Sequence, residues 1–233
     1  MAYLPIFLDL REKRCLVIGG GAVAERKVLS LLEADAAVMV VSPALSDMLQ
    51  TLAVQGRIIH VEREYSATDL NGVALVFAAT DDPALQRKVA ANAAERSIPV
   101  NVADVPELCS FITPAVIRRG RLQLAVSTGG ASPALAARIR RELEDEFGPE
   151  YAVVLEVLAA ARAWLRPREP SQGERARKLT ELAESELVEL ISTRDPRAVD
   201  RLLRRCLGAD ASIDALGLDG LALDGSHGHP RTG

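Results

Sequence analysis

Aromatic residues are nearly missing from this chain, at 3% of 233 residues. A core must then be built from Ala, Val, Leu and Ile, which suits buried parallel strands and close-packed helices. Cysteine is sparse too. Cys15, Cys109 and Cys206 lie far apart and form no Cys-x-x-Cys pair. That argues against a disulfide scaffold or a zinc ribbon and fits a reducing cytoplasm. No apolar run approaches the roughly 18–20 residues of a membrane span, and no apolar signal core follows a charged flank at the start. Basic charge is not in excess either: the net charge is −4, so the footprint of a nucleic-acid binder is absent. A cytoplasmic protein with neither membrane nor nucleic acid as partner is expected. The three histidines add no metal signal. His60 falls in a strand-like run and reads as structural, while His227 and His229 lie near the end of the chain. No cluster has metal-ligand spacing, so no fixed metal site is expected.

What the chain does have is a hydrophobic content of 48% and an ordinary charged fraction of 26%. The apolar residues come in a regular order. Cys15–Ile18 is a short strand-like run ending in glycines, and Ala22–Glu33 has helical spacing. Val38–Val41 is the next strand, stopped by Ser42-Pro43. Leu45 to Leu52 reads as a helix, Ile58–Val61 as a strand, and Val73–Ala78 as a wholly apolar central strand. Asp82-Pro83 opens another helix with an acidic cap and a first-turn proline, and Ile98–Val102 is a fifth strand. Alternating strand and helix predict an α/β fold, a Rossmann-type parallel sheet. The pattern changes after Asp104. Ala115–Arg119, Gly120 and Leu122–Ser127 read as a β-hairpin, and Ser132-Pro133 starts a largely helical stretch that runs to Leu207. Breaks are expected near 148–149, 167–173 and 195–196. The division that follows is a Rossmann domain at 1–112, a dimerisation and substrate segment at 113–148, a helical domain at 149–208 and a flexible tail at 209–233.

Gly19, Gly21 and Ala24 give G-x-G-x-x-A between a strand and a helix. The first glycine permits the tight turn. The second lets backbone approach a pyrophosphate, and the small third residue lets helix and strand pack closely. Free N–H groups at the helix start, at Ala22 and Val23, then face the phosphates. The Asp or Glu that usually ends the second strand and holds the ribose is missing; Ser42, Pro43 and Ala44 stand there instead. No arginine replaces it, so NAD against NADP stays open on the residues alone. Thr80, after the fourth strand, points to the cofactor end. Asp104 follows the fifth strand, where a doubly wound sheet places its ligands. It reads equally as a general base or as a turn cap. Ser127, Thr128 and Gly129 precede a helix start that could offer N–H groups to an anion. Arg118, Arg119, Arg138, Arg140 and Arg141 either meet an anionic ligand or form a solvated basic face.

Five segments occur in a fixed order: Leu4–Leu10, Gly19–Lys27, Ala79–Asp82, Asn101–Asp104 with Ser110-Phe111, and Ser127–Pro133. Over roughly residues 1–165 the chain resembles the precorrin-2 dehydrogenase/sirohydrochlorin ferrochelatase family, the dehydrogenase-chelatase part of siroheme synthase. No methyltransferase segment follows in the sequence, so the stand-alone form is expected. The resemblance implies NAD as cofactor and oxidation of precorrin-2 to sirohydrochlorin; some members also insert ferrous iron into sirohydrochlorin. It makes Asp104 the catalytic aspartate and puts Asn101, Ser127, Thr128, Gly129 and Arg138 on the substrate side. A polycarboxylate tetrapyrrole gives the arginines a partner. The resemblance also implies a homodimer. The alternative is a non-catalytic NAD-sensing or tetrapyrrole-binding module, which needs the glycine loop but not Asp104.

Overall fold

The computed structural model describes residues 3–218, in two compact units that divide after Thr113. The first unit holds five strands: β1 (Arg14–Ile18), β2 (Ala37–Val41), β3 (Ile59–Val61), β4 (Leu75–Ala78) and β5 (Val100–Val102). All pair in parallel, in the order β3-β2-β1-β4-β5. Three helices connect them: α1 (Ala22–Leu32), α2 (Asp47–Val54) and α3 (Pro83–Glu95). The expected Rossmann-type sheet is what forms.

The sheet is covered on both faces, which explains why its central strands read as unbroken apolar runs. Cys15, Val17, Val38, Val40, Leu75 and Phe77 point to one face, against Ala24, Val28 and Leu31 of α1 and Leu49 and Leu52 of α2. Leu16, Ile18, Val41, Val76, Val100 and Val102 point to the other, against Val89, Ala90 and Ala93 of α3. The strand order turns at β1: the chain builds outward to β3, then crosses back to place β4 on β1's other side. That switch point leaves a crevice beyond the carboxyl ends of β1 and β4, the position where such sheets take ligands.

The second unit opens with the antiparallel hairpin β6 (Ala115–Arg119) and β7 (Leu122–Val126). Its two-residue loop places Gly120 at φ +55° in the first position, the conformation such tight hairpins require. A Cβ there would also meet the Cβ of Ala152 at 3.0 Å. Helices α4 (Pro133–Glu146), α5 (Glu150–Leu165), α6 (Gln172–Ala183), α7 (Leu187–Ser192) and α8 (Pro196–Leu207) follow. The hairpin and all five helices belong to the same compact unit. Val199, Leu202, Leu203 and Cys206 recur at helical spacing on α8 and are buried against Val153, Val157 and Ala161 of α5, Leu182 of α6 and Ile191 of α7.

Two expectations need correction. The helical stretch has a further break at 184–186, where α6 gives way to α7; no proline marks it. The chain from 209 is not a loose tail over its first ten residues. Gly208, at φ +131°, turns the chain back, Ala211 is fully buried, and Ile213, Leu216 and Leu218 pack on the helical core. The Ile213 amide donates to Asp200 Oδ1 at 2.8 Å. A composition rich in Gly and Asp conceals these apolar residues. The rest of the expected tail, with His227 and His229, lies outside the described residues. No helix among the described residues is long and apolar enough to cross a membrane.

One carboxylate in the first unit is set to report on acid stability. Asp69, 7% exposed, accepts two hydrogen bonds from the Arg63 guanidinium, at 2.9 and 2.6 Å, and one from the Ser66 amide at 2.8 Å. The Arg63 bonds, with the Ser66 amide adding to them, hold its carboxyl below the ordinary value. A depressed folded-state value means the contribution is complete above the unfolded value of about 4 and is lost as pH falls through the folded value. Asp69→Ala should lower unfolding free energy by about 1–3 kcal/mol at neutral pH. In urea titrations the gap to wild type should close on acidification below about pH 4; a gap constant with pH would contradict the pairing.

Candidate functional site: a dinucleotide cleft

The turn from β1 into α1 is built by three glycines with three different constraints. Gly19 sits at φ +115°, and a Cβ there would lie 2.1 Å from the Ala79 carbonyl oxygen. Gly20 has no such conformation, but its Cβ would lie 2.0 Å from the Ala44 carbonyl oxygen. Gly21 is the reverse case: a Cβ there would meet nothing within 4 Å. The first two glycines therefore let the loop nest between the chain leaving β4 and the chain leaving β2. Backbone bonds fix the nest. The Gly19 amide donates to Val41 O at 3.0 Å, Ala79 N donates to Ile18 O at 2.8 Å, and Ser46 N donates to Gly20 O at 2.8 Å.

Gly21 is the N-cap of α1 and supplies no side-chain cap. The first-turn N–H groups of Ala22 and Val23 thus have no side-chain cap, while Ala24 is fully buried against the sheet. Unsatisfied donors at a helix start, with the helix dipole behind them, favour an anion. Beside them, the space that a side chain at Gly21 would take is open. The cradle fits the pyrophosphate of a dinucleotide.

Around this cradle the other candidates fall into place unevenly. Ser42 is buried and turned inward: its hydroxyl donates to Ala44 O at 2.7 Å, and its carbonyl pairs with His60 Nε2 at 3.0 Å. The side chain shapes the loop, and Pro43 and Ala44 are the exposed residues beside the cradle. Thr80 is half-buried after β4, with its hydroxyl accepting from the Asp82 amide at 3.3 Å. Asp82 caps α3, accepting from Ala84 N and Leu85 N.

Asp104 is exposed at the end of β5 and adopts φ +61°. Among residues with a side chain, Asp and Asn accept this left-handed conformation best. Its loop is held from two sides. The buried Gln86 side chain donates to Thr80 O at 2.7 Å and Ala103 O at 3.3 Å, tying the loops after β4 and β5 together. The Cys109 thiol accepts from Val102 N at 3.1 Å, and Ser110 Oγ accepts from Val100 N at 2.8 Å, so this segment covers the edge of β5. Asn101 contributes to the same tether: its amide donates to Phe111 O at 3.0 Å. Gly20 belongs to the glycine loop expected from the sequence, but the motif leaves its position free and only the Ala44 carbonyl shows its constraint; Gln86 carries no signal in the sequence.

The remaining candidates lie in the second unit. Ser127 Oγ accepts from the Gly129 amide at 3.1 Å. The Thr128 hydroxyl bonds both the amide and the carbonyl of Ser132, each at 3.1 Å. Gly129 and Gly130 take φ +62° and +87°. The expected basic cluster is largely engaged already. Arg138 pairs with Glu142 and Arg140 with Glu144, each one turn along α4. Arg119 donates to Phe147 O and Glu144 O at the end of that helix, where a cation is favoured. Among the described residues, no group of three or more His, Cys, Asp or Glu side chains could hold a metal ion.

The three glycines make separable predictions. Gly21→Val should leave thermal stability near wild type and weaken NADH binding at least about tenfold, because its side chain fills only the cradle. Gly20→Val should destabilise the fold itself, because its side chain meets backbone. Thermal melts and NADH fluorescence titrations check both; equal destabilisation by the two variants would contradict the assignment.

Residues 6–115 match a family described as NAD(P)-binding, and residues 119–146 match the central family of sirohaem biosynthesis proteins. The chain is 41% identical over 207 residues to the siroheme synthase of Thioalkalivibrio sulfidiphilus, covering 89% of this chain and 42% of that protein. It is 44% identical over 168 residues to the siroheme synthase of Methylobacillus flagellatus, covering 72% and 36%. It thus spans less than half the length of these curated relatives. Among solved structures it is similar to SirC, a precorrin-2 dehydrogenase, with a TM-score of 0.72 and 28% identity, over 88% of this chain and 98% of that one. A match to an NAD(P)-binding family, a match to the sirohaem-biosynthesis central family next along the sequence, and likeness to SirC over nearly all of that chain converge: this protein belongs to the siroheme synthase/precorrin-2 dehydrogenase family.

Proposed function

We propose that this chain oxidises precorrin-2 to sirohydrochlorin with NAD. The observation that carries the reading is the pairing, beyond the carboxyl ends of β1 and β5, of an open phosphate cradle at Gly21 with an exposed carboxylate on the braced loop at Asp104. The reaction removes a hydride and a proton from the tetrapyrrole and yields sirohydrochlorin, NADH and a proton. NAD, when bound, supplies the hydride acceptor. The chain supplies the rest. Ala22 and Val23 hold the pyrophosphate through their N–H groups. Backbone at Pro43 and Ala44 meets the ribose, in the absence of an acidic residue after β2. Thr80 borders the cofactor on the β4 side.

Asp104 takes up the substrate proton. It is ready to do so because its loop leaves the carboxylate exposed while Gln86 and Cys109 fix the backbone beneath it. Ser127, Thr128 and Gly129 contribute to the substrate side, with Arg138 as a further contact. The protein works as a homodimer. Support comes from the hairpin, since a two-stranded sheet leaves strand edges for further pairing. Three unpaired cysteines suit the reducing cytoplasm, where NAD is available.

The test is turnover. Purified protein with precorrin-2 and NAD should form NADH, read at its absorbance band. Asp104→Asn keeps the tolerance for positive φ and removes the base, so it should lower kcat about a hundredfold or more with NADH affinity and melting temperature unchanged. Wild-type rates in that variant would remove Asp104 from the chemistry. NAD binding without any turnover by the wild-type chain would favour a sensing module instead.

A further inference from the structure

A lysine near this site carries a charge that the chain itself does not neutralise. Lys27 lies on α1 between the buried Ala24 and Val28 and is half-buried. Lysines at such positions usually extend their ammonium to water. This one instead sits over the Phe77 ring, with Nζ 5.0 Å from the ring centroid, and donates to Thr113 Oγ1 at 3.5 Å, the outer limit of a hydrogen bond. Phe77 is itself braced edge-on by Phe111, at 5.5 Å between centroids. No described carboxylate lies within ion-pair distance of Lys27. An ammonium has three donors, and the chain occupies one of them weakly.

The electrostatic surroundings point the same way. Burial lowers the proton affinity of Lys27 below that of an ordinary lysine, and Arg26 pushes in the same direction; the Cys109 thiol and the Asp104 carboxylate oppose them. The ammonium therefore shares a neighbourhood with the candidate base. Partial burial of an unpaired charge is costly, and an anion that arrives with the substrate would offset that cost. The cofactor's phosphates do not suit the role. They face Ala22 and Val23, whereas Lys27 is more than one helical turn further along α1, on the side of Phe77 and Thr113.

We infer that Lys27 is a substrate-anchoring residue whose ammonium takes one carboxylate of the tetrapyrrole beside Asp104. The inference rests on the dehydrogenase reading for the identity of the substrate, and on the geometry around Phe77 and Thr113 for the anchor. Lys27→Met keeps the apolar stem over Phe77 and removes the charge; Lys27→Arg restores it.

Two assays separate the inference from the reading it rests on. In the first, KM for precorrin-2 should rise about tenfold or more in Lys27→Met, a charge-assisted hydrogen bond being lost, and return most of the way in Lys27→Arg. NADH affinity should not move, and the melting temperature of Lys27→Met should not fall, since a partly buried unpaired charge is removed. In the second, uroporphyrin, an octacarboxylate tetrapyrrole that cannot be turned over, is titrated against each full-length protein by its fluorescence. Its affinity should fall about tenfold in Lys27→Met and recover in Lys27→Arg. Unchanged KM and unchanged uroporphyrin affinity in Lys27→Met would overturn the anchor while leaving the dehydrogenase intact. A lowered NADH affinity with unchanged KM would also overturn it, moving Lys27 to the cofactor. Absent wild-type turnover with Lys27-dependent uroporphyrin binding would sink the dehydrogenase reading and uphold the anchor. Wild-type protein that neither turns over precorrin-2 nor binds uroporphyrin would overturn both.

Discussion

Two carbonyl oxygens, of Ala79 and Ala44, approach the β1–α1 turn so closely that neither Gly19 nor Gly20 can carry a Cβ. Most of the functional geometry depends on this contact. The turn must pass between the loops that leave β4 and β2, and only bare backbone is thin enough to do so. Because it passes there, α1 begins directly over the switch point of the sheet. Gly21 and the free amides of the first helical turn then face the crevice. The same nesting brings the loops after β2 and β4 to the rim of one cradle, so that the residues bordering it come from three strands.

The far side of the crevice is held by a different device. Here the backbone does not nest; side chains cross-brace it. Gln86 reaches from α3 to the carbonyls of Thr80 and Ala103, and Cys109, Ser110 and Asn101 fasten the following segment along β5. These bonds protect an otherwise open strand edge. They also fix the backbone around Asp104, which keeps a positive φ without glycine. A residue in such a conformation persists only where its surroundings enforce it. The brace is therefore what makes an exposed carboxylate a positioned one.

Much of this architecture was legible in the sequence because it rests on local patterns. Apolar runs gave the five strands, Asp82-Pro83 and Ser132-Pro133 gave two helix starts, and G-x-G-x-x-A located the turn. What escaped depends on partners remote along the chain. Gly20 fills a free position of the motif, and only Ala44 shows why it must be glycine. Gln86 looks like any helix-surface residue until Ala103 lies beneath it. Ser42 stands where a ribose contact is usual, and its carbonyl is taken by His60 from β3, eighteen residues on. Arg119 read as one of a basic cluster but is used at the end of α4. The residues after 208 looked like a tail because their few apolar members are spaced by Gly, Asp and Ser, and only the face of α8 makes sense of that spacing.

The central claim is that the open cradle at Gly21 and the braced loop at Asp104 form the two sides of one NAD site. A crystal structure of the protein with NAD bound tests it most directly. The pyrophosphate oxygens should accept hydrogen bonds from the Ala22 and Val23 amides, with the nicotinamide ring directed toward the Asp104 loop. A pyrophosphate seated elsewhere, or a nicotinamide ring turned toward the β3 side of the sheet, would contradict the account.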